Sequence, residues 1–85
     1  MAESKAAAVR VYSMPGCGHC AQVKAFLKNR DIPFEEFDLA TNVDGQHFMD
    51  ERGYRVVPVT VVGDQELIGG DLDKLRSALA ENGLL

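Results

Sequence analysis

The two cysteines of this 85-residue chain stand three positions apart, between an apolar run and a segment with helical spacing. They lie in the sequence Met14-Pro15-Gly16-Cys17-Gly18-His19-Cys20. A disulfide across so short a loop removes little entropy from the unfolded chain, so the pair has little value as a structural staple. A C-x-x-C pair where a strand passes into a helix is instead typical of a dithiol that cycles between thiol and disulfide.

The spacing of apolar residues predicts four strands and three helices in the order βαβ, helix, ββα. The strands are expected at Val9–Met14, Phe34–Leu39, Val56–Val62 and Gln65–Ile68, with Gly63-Asp64 as a hairpin turn. The helices are expected at Cys17–Asn29, from a capping hydroxyl of Thr41 to Arg52, and from the cap Asp71 to Gly83. The aromatic side chains predicted in the core are Tyr12, Phe26, Phe34, Phe37 and Phe48. The acidic side chains predicted on a solvated strand edge are Glu35, Glu36 and Asp38.

Length and charge limit the classes of function. Eighty-five residues predict a single domain over 1–85, with a disordered tail at 1–7. A net charge of -4 without a Lys/Arg cluster argues against nucleic acid or an anionic membrane as the main partner. The N-terminus lacks the apolar core of a secretory signal, and no stretch is long enough to span a bilayer. We therefore expect a cytoplasmic monomer, in a compartment where structural disulfides do not persist.

The position of each sulfur predicts its role. Cys17 stands where the first helical turn leaves backbone N–H groups free, and these groups favour a thiolate. Cys20 lies one turn further, on the apolar side of the helix, and is predicted to be the resolving thiol that breaks a mixed disulfide. His19 can be protonated near neutral pH, so its charge is predicted to stabilise the Cys17 thiolate.

Three segments together resemble a glutaredoxin of the thioredoxin fold, over Val9 to about Asn82. They are Cys17-Gly18-His19-Cys20 at the strand–helix junction, Val57-Pro58 at the third strand, and Gly69-Gly70-Asp71 before the last helix. The resemblance implies an α/β fold with a four-stranded mixed sheet flanked by three helices. It also implies a dithiol oxidoreductase that acts on disulfide-containing or glutathionylated proteins.

The resemblance further implies the residues that bind substrate. Pro58 is expected to be cis, and the Val57 backbone to pair with an extended substrate. Gly69, Gly70 and Asp71 are expected to hold the γ-glutamyl end of glutathione, the expected co-substrate; no tightly bound cofactor or metal is expected. Met14 stands where glutaredoxins usually carry a Lys that binds the glycine carboxylate, and the replacing charge would come from Arg52 or Arg55.

Two alternatives remain open. Gly53-Tyr54 followed by Val57-Pro58-Val59 also resembles the NrdH-redoxins, which are reduced by thioredoxin reductase and donate electrons to ribonucleotide reductase. The usual aromatic Ser-Gly-Phe segment of that subfamily is replaced here by Leu67-Ile68-Gly69-Gly70. The second alternative is a binding module. Zinc would need two ligands besides the cysteines, and the histidines are His19 and His47; some glutaredoxins with Gly after the first Cys, as here at Gly18, bind an iron–sulfur cluster.

Overall fold

The computed structural model describes residues 8–85, so the predicted disordered tail at 1–7 lies outside the described residues. The elements are β1 (Val9–Ser13), α1 (Gly18–Asn29), β2 (Glu35–Asp38), α2 (Val43–Arg52), β3 (Val59–Val62), β4 (Gln65–Ile68) and α3 (Leu72–Glu81). The strands form one sheet in the order β2-β1-β3-β4. β1 is parallel to β2 and antiparallel to β3, and β3 is antiparallel to β4. The predicted thioredoxin-like arrangement, with a mixed sheet and three helices, is confirmed.

The two faces of the sheet carry different cores, because alternate residues of a strand point to opposite sides. On one face, aliphatic residues of β1 and β3 pack against α1 and α3. On the other, the Tyr12 ring stacks between Phe37 and Phe48, with ring centroids 4.7 and 4.3 Å away. Of the predicted core aromatics, Tyr12 and Phe26 are buried, whereas Phe34, Phe37 and Phe48 are half-buried against the two cores.

The start of α2 differs from the prediction. Asn42, not Thr41, is the cap: its side-chain oxygen accepts a hydrogen bond from the Gly45 N–H at 2.8 Å. The Thr41 N–H instead bonds to the Asp38 carbonyl in the preceding turn. Close packing explains why glycine stands at position 45 inside this helix, since a Cβ there would lie 3.0 Å from the Leu39 side chain. The small residue lets α2 approach β2 closely.

The predicted bounds of three strands were too wide, and β1 ends at Ser13 and not at Met14. β3 begins at Val59 and not at Val56, because Pro58 has no N–H to donate to the ladder. β2 is confined to Glu35–Asp38. The Val57–Pro58 peptide bond is cis, as the resemblance implied. The segment 56–58 is therefore a loop that leads into β3.

The register of the sheet brings three chain segments together at one end of the strands. Tyr12 pairs with Val59, and Val59 pairs with Ile68. The end of β1, the start of β3 and the end of β4 therefore lie side by side. The loops that follow or precede them carry Cys17, Pro58 and the paired glycines, and Cys20 lies in the first turn of the helix that follows β1.

Candidate active site

Cys17 caps the N-terminus of α1 with its sulfur. Its backbone is extended, and its Sγ accepts a hydrogen bond from the Cys20 N–H at 3.1 Å. A hydrogen bond from the Cys20 thiol, together with the backbone N–H groups of Cys20 and His19, holds the pKa of Cys17 below its ordinary value. Cys17 is also partly exposed, whereas Cys20 is buried. The local fold thus provides an accessible sulfur that favours the thiolate form.

Cys20 has the opposite environment. Its side chain is 1% exposed and lies in the first turns of α1, on the helix side that also buries Val23 and Leu27. Burial, and secondarily its hydrogen bond to Cys17, raises the pKa of Cys20 to about 11. The backbone N–H of Met14 acts in the other direction without reversing this rise. The two sulfurs, one helical turn apart, therefore differ strongly in acidity.

His19 contacts the loop before α3. A Cβ built on Gly70 would lie 2.9 Å from the Cβ and 3.1 Å from the Cγ of His19, so only glycine fits at position 70 without movement. The backbone N–H of His19 helps to lower the pKa of Cys17. The predicted role of the imidazole charge stays a prediction. The contact nevertheless joins the redox loop to the paired glycines.

Pro58 joins the loop before β3 to the loop before α3. Its carbonyl accepts a hydrogen bond from the Gly69 N–H at 2.8 Å, and its ring is fully buried. Val57, directly before it, is half-buried, and its N–H and carbonyl bond to no backbone group within residues 8–85. These free groups are available to an extended chain laid against the loop.

A cleft of about 430 Å³ begins beside the redox loop. Met14, 42% exposed, lines it together with Val57 and Arg55. Arg52 is engaged elsewhere: its guanidinium lies 2.9 Å from a Glu66 carboxylate oxygen. Of the two arginines that the sequence left open, Arg55 is therefore the one that lines the cleft. The other lining residues are Leu39, Gln46, Met49, Asp50 and Tyr54.

Asp71 caps α3, as predicted. Its carboxylate accepts hydrogen bonds from the N–H groups of Asp73 and Lys74, at 3.0 and 3.2 Å. These bonds satisfy two of the free N–H groups at the helix N-terminus. An incoming carboxylate at this end of α3 would therefore meet a helix start that already carries an anion.

A family comparison now bears on this geometry. The sequence model described as Glutaredoxin matches residues 9–68, which include the redox loop, Pro58, all four strands and the first two helices. The chain belongs to the glutaredoxin family. Its C-x-x-C pair supports thiol–disulfide oxidoreductase activity in general.

Solved glutaredoxin-like structures share this fold. A point mutant of the thioredoxin-like protein BC3987 is 27% identical, covers 86% of this chain and 95% of its own, and has a TM-score of 0.80. A buckwheat glutaredoxin–glutathione complex is 25% identical, covers 92% of this chain and 81% of its own, and has a TM-score of 0.71. The glutaredoxin-like NrdH-redoxin from Escherichia coli, 23% identical over 81% and 91% with a TM-score of 0.74, shows likeness of fold alone. The search of curated proteins found no match.

This glutaredoxin also carries a polar cluster that the sequence did not single out. The Lys24 ammonium donates to Glu36 Oε2 at 2.7 Å, and the Ser13 hydroxyl donates to the same oxygen at 3.0 Å. We call Ser13, Lys24 and Glu36 the Lys24 cluster. Glu36 was predicted to be a solvated strand residue, and β2 is indeed the sheet edge. The sequence does carry a signal that Lys24 lies near the cysteines, because it stands four residues after Cys20, on the same helix face.

Two further findings concern residues 8–85. No group of three or more His, Cys, Asp or Glu side chains there is arranged to hold a metal ion. No helix within that range is both long and apolar enough to cross a membrane.

Proposed function

We propose that this glutaredoxin is a dithiol oxidoreductase in which Cys17 attacks a disulfide and Cys20 resolves the resulting mixed disulfide. The observation that supports the assignment is the asymmetry of the two sulfurs. Cys17 is partly exposed and has a lowered pKa, whereas Cys20 is buried with a pKa of about 11. An exposed thiolate meets the substrate first, and a buried neutral thiol reacts only with a sulfur already bonded beside it.

Two exchange steps complete the reaction. The Cys17 thiolate attacks one sulfur of the substrate disulfide, whose S–S bond breaks as the first substrate thiolate leaves. Cys20 then loses its proton to water and attacks the Cys17 sulfur, which forms the Cys17–Cys20 disulfide and releases the second thiolate. Because the sulfurs lie one helical turn apart, this second step is intramolecular and needs no further reactant.

Glutathione is the reductant that we propose. Two glutathione thiols return two electrons to the Cys17–Cys20 disulfide and leave as glutathione disulfide. The buckwheat relative was solved as a glutathione complex, and in this chain we assign the tripeptide to the cleft and the paired glycines. We assign Arg55 to the glycine carboxylate, because Arg52 is paired with Glu66. The free backbone groups of Val57 would pair with the peptide backbone.

A second candidate is a redoxin of the NrdH type, reduced by thioredoxin reductase and donating electrons to ribonucleotide reductase. One observation favours it: the residue before the redox loop that faces the cleft is the apolar, exposed Met14, not a lysine. With fewer cations, the cleft holds a tripeptide dicarboxylate less firmly and accepts an apolar protein surface more readily.

A parallel reduction assay separates the two candidates. The protein is supplied with a small mixed disulfide and NADPH, together with either glutathione plus glutathione reductase or thioredoxin reductase without glutathione. We expect turnover with glutathione that saturates only at high concentration. Turnover with thioredoxin reductase and none with glutathione would overturn the glutaredoxin assignment in favour of the second candidate. An Arg55→Met variant should raise the apparent KM for glutathione, and Arg30→Met, an arginine that does not line the cleft, should not.

A further inference from the structure

The Lys24 cluster lies between the redox helix and the first two strands. Ser13 is the last residue of β1, is 2% exposed, and immediately precedes the redox loop. The Lys24 and Glu36 side chains are 26% and 41% exposed, so the ion pair is partly shielded from solvent. The hydrogen bond from the buried Ser13 hydroxyl fixes the carboxylate, and the carboxylate in turn fixes the ammonium.

Helix geometry places this ammonium on the Cys20 side of α1. Residues four apart on a helix are neighbours on one face, and Lys24 follows Cys20 by four positions. The charge of Lys24 lowers the pKa of both thiols, and the charge of Cys20 acts reciprocally on Lys24. A cation held at that place favours a thiolate at Cys20, which burial otherwise disfavours.

We propose that Lys24 is a positioning residue for the resolving step, its ammonium stabilising the Cys20 thiolate while Ser13 and Glu36 hold the ammonium in place. This proposal rests on the dithiol mechanism above. In that step Cys20 releases its proton to water, a bond forms between the two cysteine sulfurs, and the bond from Cys17 to the substrate breaks. Lys24 stays protonated throughout and transfers nothing.

The titratable groups on which the pH dependence of this step depends come from α1 and β2. Helix α1 contributes Cys17 and Lys24, and also Lys28, whose charge acts on Glu36. Strand β2 contributes Glu36 and Asp38, both of which act on Lys24. Strand β1 and the redox loop contribute the uncharged Ser13 hydroxyl and Met14 N–H. Lys24 is thus the cation common to the electrostatic surroundings of both sulfurs.

The test separates the two exchange steps in time. The reduced protein is mixed rapidly with dithiobis-nitrobenzoate, an aromatic disulfide that releases a coloured thiolate. The first release reports attack by Cys17, and the second reports resolution by Cys20. The variants are Lys24→Met, the conservative Lys24→Arg, Ser13→Ala, and the control Lys28→Met, which removes the same charge one turn further along α1.

We expect Lys24→Met to slow the second release about three- to fivefold at neutral pH, as for a partly exposed charge pair. The difference should shrink as the pH rises toward the pKa of Cys20, because hydroxide then removes the proton without help. Lys24→Arg should restore the rate. Ser13→Ala should slow it less than Lys24→Met does, and so should Lys28→Met, because the Lys28 charge acts on Glu36 and not directly on either sulfur. In the unaltered protein, added salt should slow the second release by screening the charge.

Three results would overturn the proposal. They are an unchanged second release in Lys24→Met, an equal slowing in Lys28→Met, or a slowing in Lys24→Met that is independent of pH and not restored by Lys24→Arg. If Lys24→Met does not fold, a second release that is insensitive to salt in the unaltered protein would overturn it as well. Failure of the dithiol mechanism looks different, because the unaltered protein would then release one coloured thiolate or none.

Discussion

Two polar clusters of similar composition lie on opposite faces of the sheet. The Lys24 cluster joins a cation, a carboxylate and a hydroxyl on the face covered by α1. On the α2 face, Arg52 and the Tyr54 hydroxyl both donate to Glu66, and we call these three residues the Arg52 cluster. Each cluster joins a helix, or the loop that follows it, to a strand, and each lowers the pKa of its carboxyl group.

The difference lies in what each cluster adjoins. The Lys24 cation acts on both sulfurs, whereas the Arg52 cation lies over the Phe48 ring, 4.9 Å from its centroid. The two clusters therefore act on different parts of the molecule although their side chains are similar, because one borders the first turns of the redox helix and the other borders a stack of aromatic rings. We expect both to affect folding slightly and only the Lys24 cluster to affect thiol chemistry.

The largest expected effect comes from removing the nucleophile. Cys17→Ser should abolish thiol exchange, since the buried Cys20 thiol cannot reach a substrate disulfide. Cys20→Ser should still attack and should accumulate a covalent adduct with a protein disulfide, detectable by mass. With Cys17 absent, neither polar cluster has a reaction to influence. Retained reduction of a protein disulfide by Cys17→Ser would reverse the assignment of the two sulfurs.

A cation added at the cleft should have the next largest effect. Met14→Lys places an ammonium where the glycine carboxylate of glutathione is proposed to lie, and should lower the apparent KM for glutathione by up to about tenfold. Val43→Lys adds the same charge at an exposed position of α2 outside the cleft, and should not change KM. An equal change in both variants would indicate attraction by overall charge instead of a site.

Substitutions at His19 distinguish its backbone from its side chain. His19→Pro removes the N–H that favours the Cys17 thiolate and should raise the pKa of Cys17, while proline is tolerated in a first helical turn. His19→Ala keeps the N–H and should raise it less. Ultraviolet titration of the thiolate measures both values in a Cys20→Ser background. If His19→Ala raised the pKa as much as His19→Pro, the imidazole charge would be the main contribution.

The smallest expected effect is on the pH dependence of the free energy of unfolding, and both clusters should contribute to it. The folded pKa of each carboxyl is depressed, so each stabilises the protein above the ordinary carboxyl pKa and loses that contribution as the pH falls through the lowered value. Glu36→Gln and Glu66→Gln should therefore each reduce the acid-induced fall in the free energy of unfolding, by less than about 1 kcal/mol for the partly exposed Glu36. Urea unfolding at neutral and acidic pH checks this, and an unchanged fall in both variants would contradict it.

Much of the fold was predictable because its signals are local. The alternation in β1, the hairpin turn at Gly63-Asp64 and the cap Asp71 each depend on a few adjacent residues, and the structure has all three. The errors arose where a neighbouring element decided the outcome. Asn42 caps α2 in place of Thr41, which lies in the turn that follows β2.

The site was predictable in composition but not in its contacts. The C-x-x-C spacing and the environments of its two sulfurs follow from one helix start. The choice of Arg55 over Arg52 depends on a carboxylate in β4, fourteen residues away, and the contact of His19 with Gly70 joins segments even further apart. The Lys24 cluster likewise needs the register of β1 and β2, which apolar periodicity along the chain does not specify.

The most direct measurement is pH-resolved alkylation of the reduced protein, with the modified cysteine identified by mass spectrometry. Because the pKa of Cys17 is lowered and that of Cys20 is raised to about 11, Cys17 should be labelled first, and at a lower pH than an ordinary thiol. Cys20 should stay unlabelled until the solution is strongly alkaline. Equal labelling of both cysteines at neutral pH, or labelling of Cys20 first, would contradict the division of roles between the two sulfurs.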